Sequence, residues 1–149
     1  MKVQDLLSRK TRPIPTIAGD HTVGDAIRLM TDQNVSALIV TESQHPVGIF
    51  AERDVFRCYV KNKFACLSDI PLKNAITRKL IAAKPEDDVS AVMALMIKAD
   101  IKHIPVMENN KIIAMLTLND LIENQIETLT AELHHLREYI ADLHDAGQD

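Results

Sequence analysis

The chain has no tryptophan, and only 3% of its 149 residues are aromatic. That is too few to build the stacking platforms on which single-stranded nucleic acid is held. Two cysteines, Cys58 and Cys66, are too few for a disulfide scaffold and are not spaced as CxxC, so free thiols in a reducing cytosol are expected. Four glycines leave no Gly-rich phosphate loop to assemble. No apolar run approaches the ~18 residues of a membrane helix. The start, Met1 to Lys10, lacks the apolar core of a signal peptide. Basic residues are short as well: 17 against 21 acidic ones, a net charge of -4, which argues against a nucleic-acid footprint. HExxH is missing, and His134 and His135 are neighbours on a helix that point different ways, so no metal site is expected. Nothing supplies a nucleophile or a cofactor loop, and the chain reads as a non-enzymatic cytoplasmic protein.

What is present is ordinary material for one well-buried core, 46% apolar and 26% charged, with a strong internal order. Val3 to Lys10 predicts a short amphipathic helix, which Thr11-Arg12-Pro13-Ile14-Pro15 breaks. Pro15 to Ile17 predicts a short strand. Val23, Ala26, Ile27 and Met30 share one helical face, with Thr22 as N-cap and Asp25 three residues on. Ala37 to Thr41 and Val47 to Phe50 predict two strands, and Glu52 to Tyr59 a helix.

Adding 66 to these positions reproduces them. Val23 falls on Val89, Leu29 on Leu95, Met30 on Met96, Val40 on Val106, Glu42 on Glu108 and Asp54 on Asp120. Apolar character agrees at Val35 and Ile101, Leu38 and Ile104, Val47 and Ile113, Phe50 and Leu116, and Phe56 and Ile122. Upstream, an offset of 69 lays Val3 to Lys10 over Leu72 to Lys79, both ending in hydroxyl-Arg-Lys. The unit is β-α-β-β-α, too small to cover its own sheet. Two copies, 1–66 and 67–125, are therefore expected to pack sheet to sheet about a pseudo-two-fold axis, an α/β (α+β) fold with duplicated clefts suited to a small ligand.

The stretches Asp20 to Met30, Val35 to Val40 and Gly48 to Asp54, with their echoes Asp88 to Met96, Ile101 to Val106 and Ala114 to Asp120, resemble the cystathionine β-synthase (CBS) domain pair, or Bateman module. The resemblance covers roughly residues 1 to 125. It implies a regulatory role and an adenosyl ligand: AMP, ADP or ATP, with S-adenosylmethionine or NAD(H) as further candidates and no resident cofactor required. In the family's motif a hydroxyl and an acid hold the ribose, here Thr117 and Asp120, with Ala51 and Asp54 in the first copy. A carboxylate can accept both hydrogen bonds of a cis-diol. The resemblance also implies adenine contacts from Ile14, Pro15, Val35, Ser36 and Ala37, and phosphate contacts from Lys102 and His103. With Met115 and Asn119 from the same motif these complete the Asp120 site. By the repeat, Leu80, Ile81, Ile101 and Lys102 serve the Asp54 site, with Ile49, Ala51, Arg53 and Asp54.

Two departures make the copies unequal. Ala51 stands where a hydroxyl is expected, which weakens the Asp54 site by ~1 kcal/mol for one lost hydrogen bond. Ser36-Ala37 stands opposite Lys102-His103, so the phosphate-binding charge is one-sided. The Asp120 site is expected to be the better of the two. Thr117-Leu-Asn-Asp120 is equally a capping box, and the two roles are compatible. Arg53, on the first turn of a helix where the macrodipole disfavours a cation, calls for an anion nearby. Arg9-Lys10 and Arg78-Lys79 read as solvated.

The tail carries a separate pattern. Ile122, Ile126, Leu129, Leu133, Leu136, Ile140 and Leu143 follow 4,3,4,3,4,3 spacing over three heptads. A long helix over 118–146 is expected, its stripe needing a partner. The sequence thus predicts a stand-alone adenosyl-ligand sensor that forms a homodimer and acts on an unknown downstream protein, without nucleic acid or membrane. The alternative is a structural dimerisation adaptor with vestigial clefts.

Overall fold

The computed structural model describes residues 1–9 and 13–147. The order is α1 (Val3–Leu7), β1 (Thr16–Ala18), α2 (Val23–Gln33), β2 (Ala37–Glu42), β3 (His45–Ala51) and α3 (Glu52–Lys61). Two single-turn 3₁₀ segments at Leu67–Asp69 and Leu72–Asn74 follow, then α4 (Val89–Ala99), β4 (His103–Glu108), β5 (Lys111–Thr117) and α5 (Leu118–Ala146). The first sheet has the order β1-β2-β3, with β1 parallel to β2, and the second pairs β4 with β5.

The duplication seen in the sequence is exact in register. Bulges interrupt the two hairpins between Val40 and Thr41 and between Val106 and Met107, 66 residues apart. Both hairpins turn through two residues of positive φ, Ser43-Gln44 and Asn109-Asn110, the twist that matches antiparallel strands. Left-handed residues Asn34 and Asp100 end α2 and α4. Thr22 caps α2 as expected: its hydroxyl accepts from the Asp25 N–H at 3.1 Å, and the Asp25 carboxylate accepts from the Thr22 N–H at 3.1 Å.

Two differences from the sequence reading appear at the edges. The second copy has no counterpart to β1 beyond one bridge, Ala83 beside Val106, because the Lys84-Pro85 that follows cannot extend a ladder. Helix α1 ends at Leu7, short of the expected helix to Lys10; Ser8 and Arg9 form a turn, and Lys10, like Thr11 and Arg12 of the breaker, lies outside the described residues.

Packing does not follow chain order. Val3 and Leu6 of α1 are buried with Val89, Val92, Met96, Ile104, Val106, Leu116 and Leu121, all from the second copy. Ile70 and Leu72 are buried with Val23, Met30, Leu38, Val40 and Phe50 of the first. Backbone bonds fix both crossings: Val3 N–H to Asp87 O at 2.9 Å and Val89 N–H to Met1 O at 3.0 Å, matched by Val23 N–H to Ile70 O and Leu72 N–H to His21 O, each 2.9 Å. Each core is thus closed by a segment from the other copy.

Candidate functional site

Each copy delivers a carboxylate to a helix start by the same local route. A strand ends, the next helix begins, and an aspartate in the first turn reaches back to a free backbone N–H. At α5 the Asp120 carboxylate accepts from Thr117 N–H at 3.0 Å and Thr117 Oγ1 accepts from Asp120 N–H at 3.1 Å, so the capping box forms in full. At α3 the Asp54 carboxylate accepts from Ala51 N–H at 2.9 Å, and Ala51 has no oxygen with which to answer.

The hydroxyl missing from Ala51 comes from elsewhere. Thr77 Oγ1 donates to Asp54 Oδ1 at 2.9 Å. Thr77 is held there by two backbone bonds with Ile49, 3.0 and 2.9 Å, which set it against the outer edge of β3. Gly48 makes this approach possible: a Cβ at that position would sit 2.7 Å from the Thr77 carbonyl oxygen, closer than packed atoms allow. The expected weakness of the Asp54 site therefore has a local compensation.

Asp54 is only 7% exposed and lines a cleft between the copies, of about 460 Å³. Of the residues expected there, Ile49, Ala51, Arg53, Asp54, Ile101 and Lys102 line the cleft, and so does His103, which was expected at the Asp120 site. Leu80 and Ile81 are not on its wall; Ile81 packs instead against the second core. Glu52, Phe56, Arg57, Thr77, Ala99 and Asp100 complete it. Arg53, Arg57 and Lys102 are solvent-exposed, as are Glu52 and Asp100, so exposed charges of both signs share the cleft wall with the buried Asp54.

Arg53 has the anion its helix position calls for, and that anion is Asp100. The guanidinium donates to the Asp100 carboxylate at 2.9 Å and to its carbonyl at 3.0 Å. A second tie crosses nearby: Ser36 Oγ lies 2.6 Å from His103 Nε2. Burial pushes the His103 imidazole below its ordinary range, against the opposing pull of the Glu52 carboxylate, so the neutral ring prevails near neutrality. Matched backbone bonds, Glu52 N–H to Ser36 O at 3.3 Å and Leu118 N–H to Lys102 O at 2.8 Å, hold both helix starts against the residue that leads into β2 or β4.

Of the other residues expected at the Asp120 site, Ile14, Pro15, Val35, Ser36 and Met115 are partly buried and Ala37 is buried, while Asn119 is exposed. Pro15 accepts from Ile39 N–H at 2.8 Å, which leads the chain into β1. Thr117 pairs with His103 across β4 and β5 as Ala51 pairs with Ala37 across β2 and β3.

The CBS domain model matches twice, over residues 3–61 and 67–127. The chain belongs to the CBS domain family. Among its relatives is the CBS domain-containing protein CBSX3, mitochondrial, of Arabidopsis thaliana, 35% identical over 128 residues; these make up 81% of this chain and 61% of the plant protein. The CBS-domain containing protein ATU1752 from Agrobacterium tumefaciens superposes with a TM-score of 0.79 at 25% identity, covering 84% of this chain and 99% of that one. Two CBS structures at 20% identity share the fold and carry ligands. Protein PAE2072 from Pyrobaculum aerophilum holds AMP, with a TM-score of 0.68 over 80% of this chain and 89% of its own. The CBS domain pair of protein MJ0100 holds 5-methylthioadenosine and S-adenosyl-L-methionine, with a TM-score of 0.74 over 86% of this chain and 98% of its own. Among the described residues no cluster could hold a metal ion, and no helix is long and apolar enough to cross a membrane.

Proposed function

We propose that this chain is a regulatory sensor of an adenosyl ligand, AMP, ADP or ATP, bound between its two CBS motifs and reported through dimer packing. The observation that carries this reading is the cleft of about 460 Å³ at Asp54, within the range of small-molecule sites. Its hydroxyl and carboxylate stand together at Thr77 and Asp54. Ribose hydroxyls donate to the outer lone pairs of Asp54, and Lys102 and Arg57 meet phosphate at the opening. Arg53 joins them only when a phosphate displaces Asp100. The adenosyl groups held by PAE2072 and MJ0100 support the ligand class. Thr117 and Asp120, joined in the matching capping box, are the equivalent pair for a second site, to which Ile14 and Pro15 are assigned by the family resemblance.

Ligand-free protein is heated with AMP, ADP, ATP, S-adenosylmethionine or NADH. A compound at 100 times its Kd stabilises the fold by ~2.7 kcal/mol, a rise of roughly 5–10 °C at this size. Asp54→Asn and Asp120→Asn, alone and together, assign the rise to one cleft or both. If none of the five shifts the midpoint, the sensor reading fails. The adaptor reading, favoured by the exposed apolar stripe along α5, then stands alone, with concentration-dependent dimers and no ligand effect.

A further inference from the structure

Helix α5 runs 29 residues, yet within it only Leu121 and Asn124 are buried. Beyond them Ile126, Leu129, Leu133, Leu136, Ile140 and Leu143 stand between 48% and 61% exposed. The helix is uninterrupted to Ala146, so these side chains form one stripe that none of the described residues covers. In heptad terms Ile126, Leu133 and Ile140 occupy a, and Leu129, Leu136 and Leu143 occupy d. Branched isoleucine at a with leucine at d is the combination that selects two parallel strands.

The flanking positions point the same way. Glu132 is at g and Arg137 at e, and neither holds an ion pair among the described residues. In a parallel pair, g of one helix meets e five residues on in the other, so Glu132 meets Arg137 twice by symmetry. The other flanking pairs, Gln125 with Thr130 and Tyr139 with His144, bring no like charges together. An antiparallel pair sets g beside g and e beside e, and Glu132 and Arg137 never meet. The other acids of this stretch, Glu127, Glu138 and Asp142, fall at b, f and c, outside the seam, and Glu138 lies 3.1 Å from His134.

We infer that residues 126–143 form a parallel, two-stranded coiled coil with a second copy of this chain. The inference rests on the self-association part of the function proposed above and is independent of the ligand. Parallel pairing sets the two Asp120-bearing helix starts on the same side of the assembly. A change in helix direction at one site then reaches the other through the shared stalk.

Gly147 provides the test. It continues the a series and takes a side chain without strain, since an added Cβ would lie 3.5 Å from its nearest neighbour. Gly147→Cys is made together with Cys66→Ser, which removes the exposed native thiol. Mild oxidation joins two parallel copies through residue 147. In an antiparallel pair with the same core layers those residues sit about 35 Å apart, at 1.5 Å per residue, and no bond forms. A dimer by sedimentation that resists cross-linking overturns the parallel register alone; a monomer overturns self-association as well. As a second reading, Glu132→Arg weakens the dimer about tenfold and Glu132→Arg with Arg137→Glu restores it. If the single change leaves the dimer constant as it was, or the double change does not restore it, the Glu132–Arg137 pairing is refuted.

Discussion

At the scale of single residues the two copies are balanced by different means. The second puts a hydroxyl in its motif at Thr117, and the first brings one in from Thr77. Because Asp54 is buried, Thr77→Val leaves a carboxylate oxygen without its donor, at a cost of about 1–2 kcal/mol. The unfolding midpoint is expected to fall by roughly 3–8 °C, with Thr77→Ser close to wild type. Equal midpoints for Val and Thr would show that the hydroxyl supports nothing. His103 gives the molecule a pH dependence of known sign. Its folded-state value is depressed by burial, so the unfolded chain binds the proton more readily as pH falls through ~6.5. Stability tied to the neutral ring is complete above that value and declines below it. Denaturation at pH 7.5 and 5.5 checks this: the drop is smaller in His103→Asn than in wild type, and identical drops would remove His103 from the account.

Elements were legible wherever a period or a punctuating residue marked them. Helix α2 follows from Val23, Ala26, Ile27 and Met30 under a Thr22 cap, and the length of α5 from an unbroken heptad series. The strands carry contiguous apolar residues, and the offset of 66 assigned β2 and β3 in duplicate as β4 and β5, while the expected copy of β1 is reduced to one bridge. Illegible were the features made by approach in space. Nothing local in Thr77 says that it lies against Asp54, and only the backbone of Gly48 permits it. Asp100 reads as a helix C-cap, and it is the fold that sets its carboxylate beside Arg53. Helix α1 is the sharpest case, five residues long and far below the length at which a helix stands alone. Leu6 is 3% exposed, in a core built 80 to 115 residues further along the chain. Leu6→Ala is expected to cost about 2–4 kcal/mol, as much as a central leucine. A midpoint within a degree of wild type would mean that α1 only rests on the surface.

For the whole molecule the relevant feature is the exchange of segments between the cores. Val3 and Leu6 close one, and Ile70 and Leu72 close the other, so neither copy can melt while the other keeps its full packing. Leu6→Ala should accordingly lower one common transition rather than split it into two. The exchange also bears on how such a chain came to exist. A single ancestral repeat would carry a start that fits a slot in its neighbour and a slot that its own start does not fill. Such a unit folds only in pairs, each lending its first residues to the other. Joining two of them end to end adds no new contact. It turns an association that depended on concentration into a permanent one, and frees each half to change alone. Ala51 beside Thr77 on one side, and Thr117 on the other, are what that freedom looks like after it has been used.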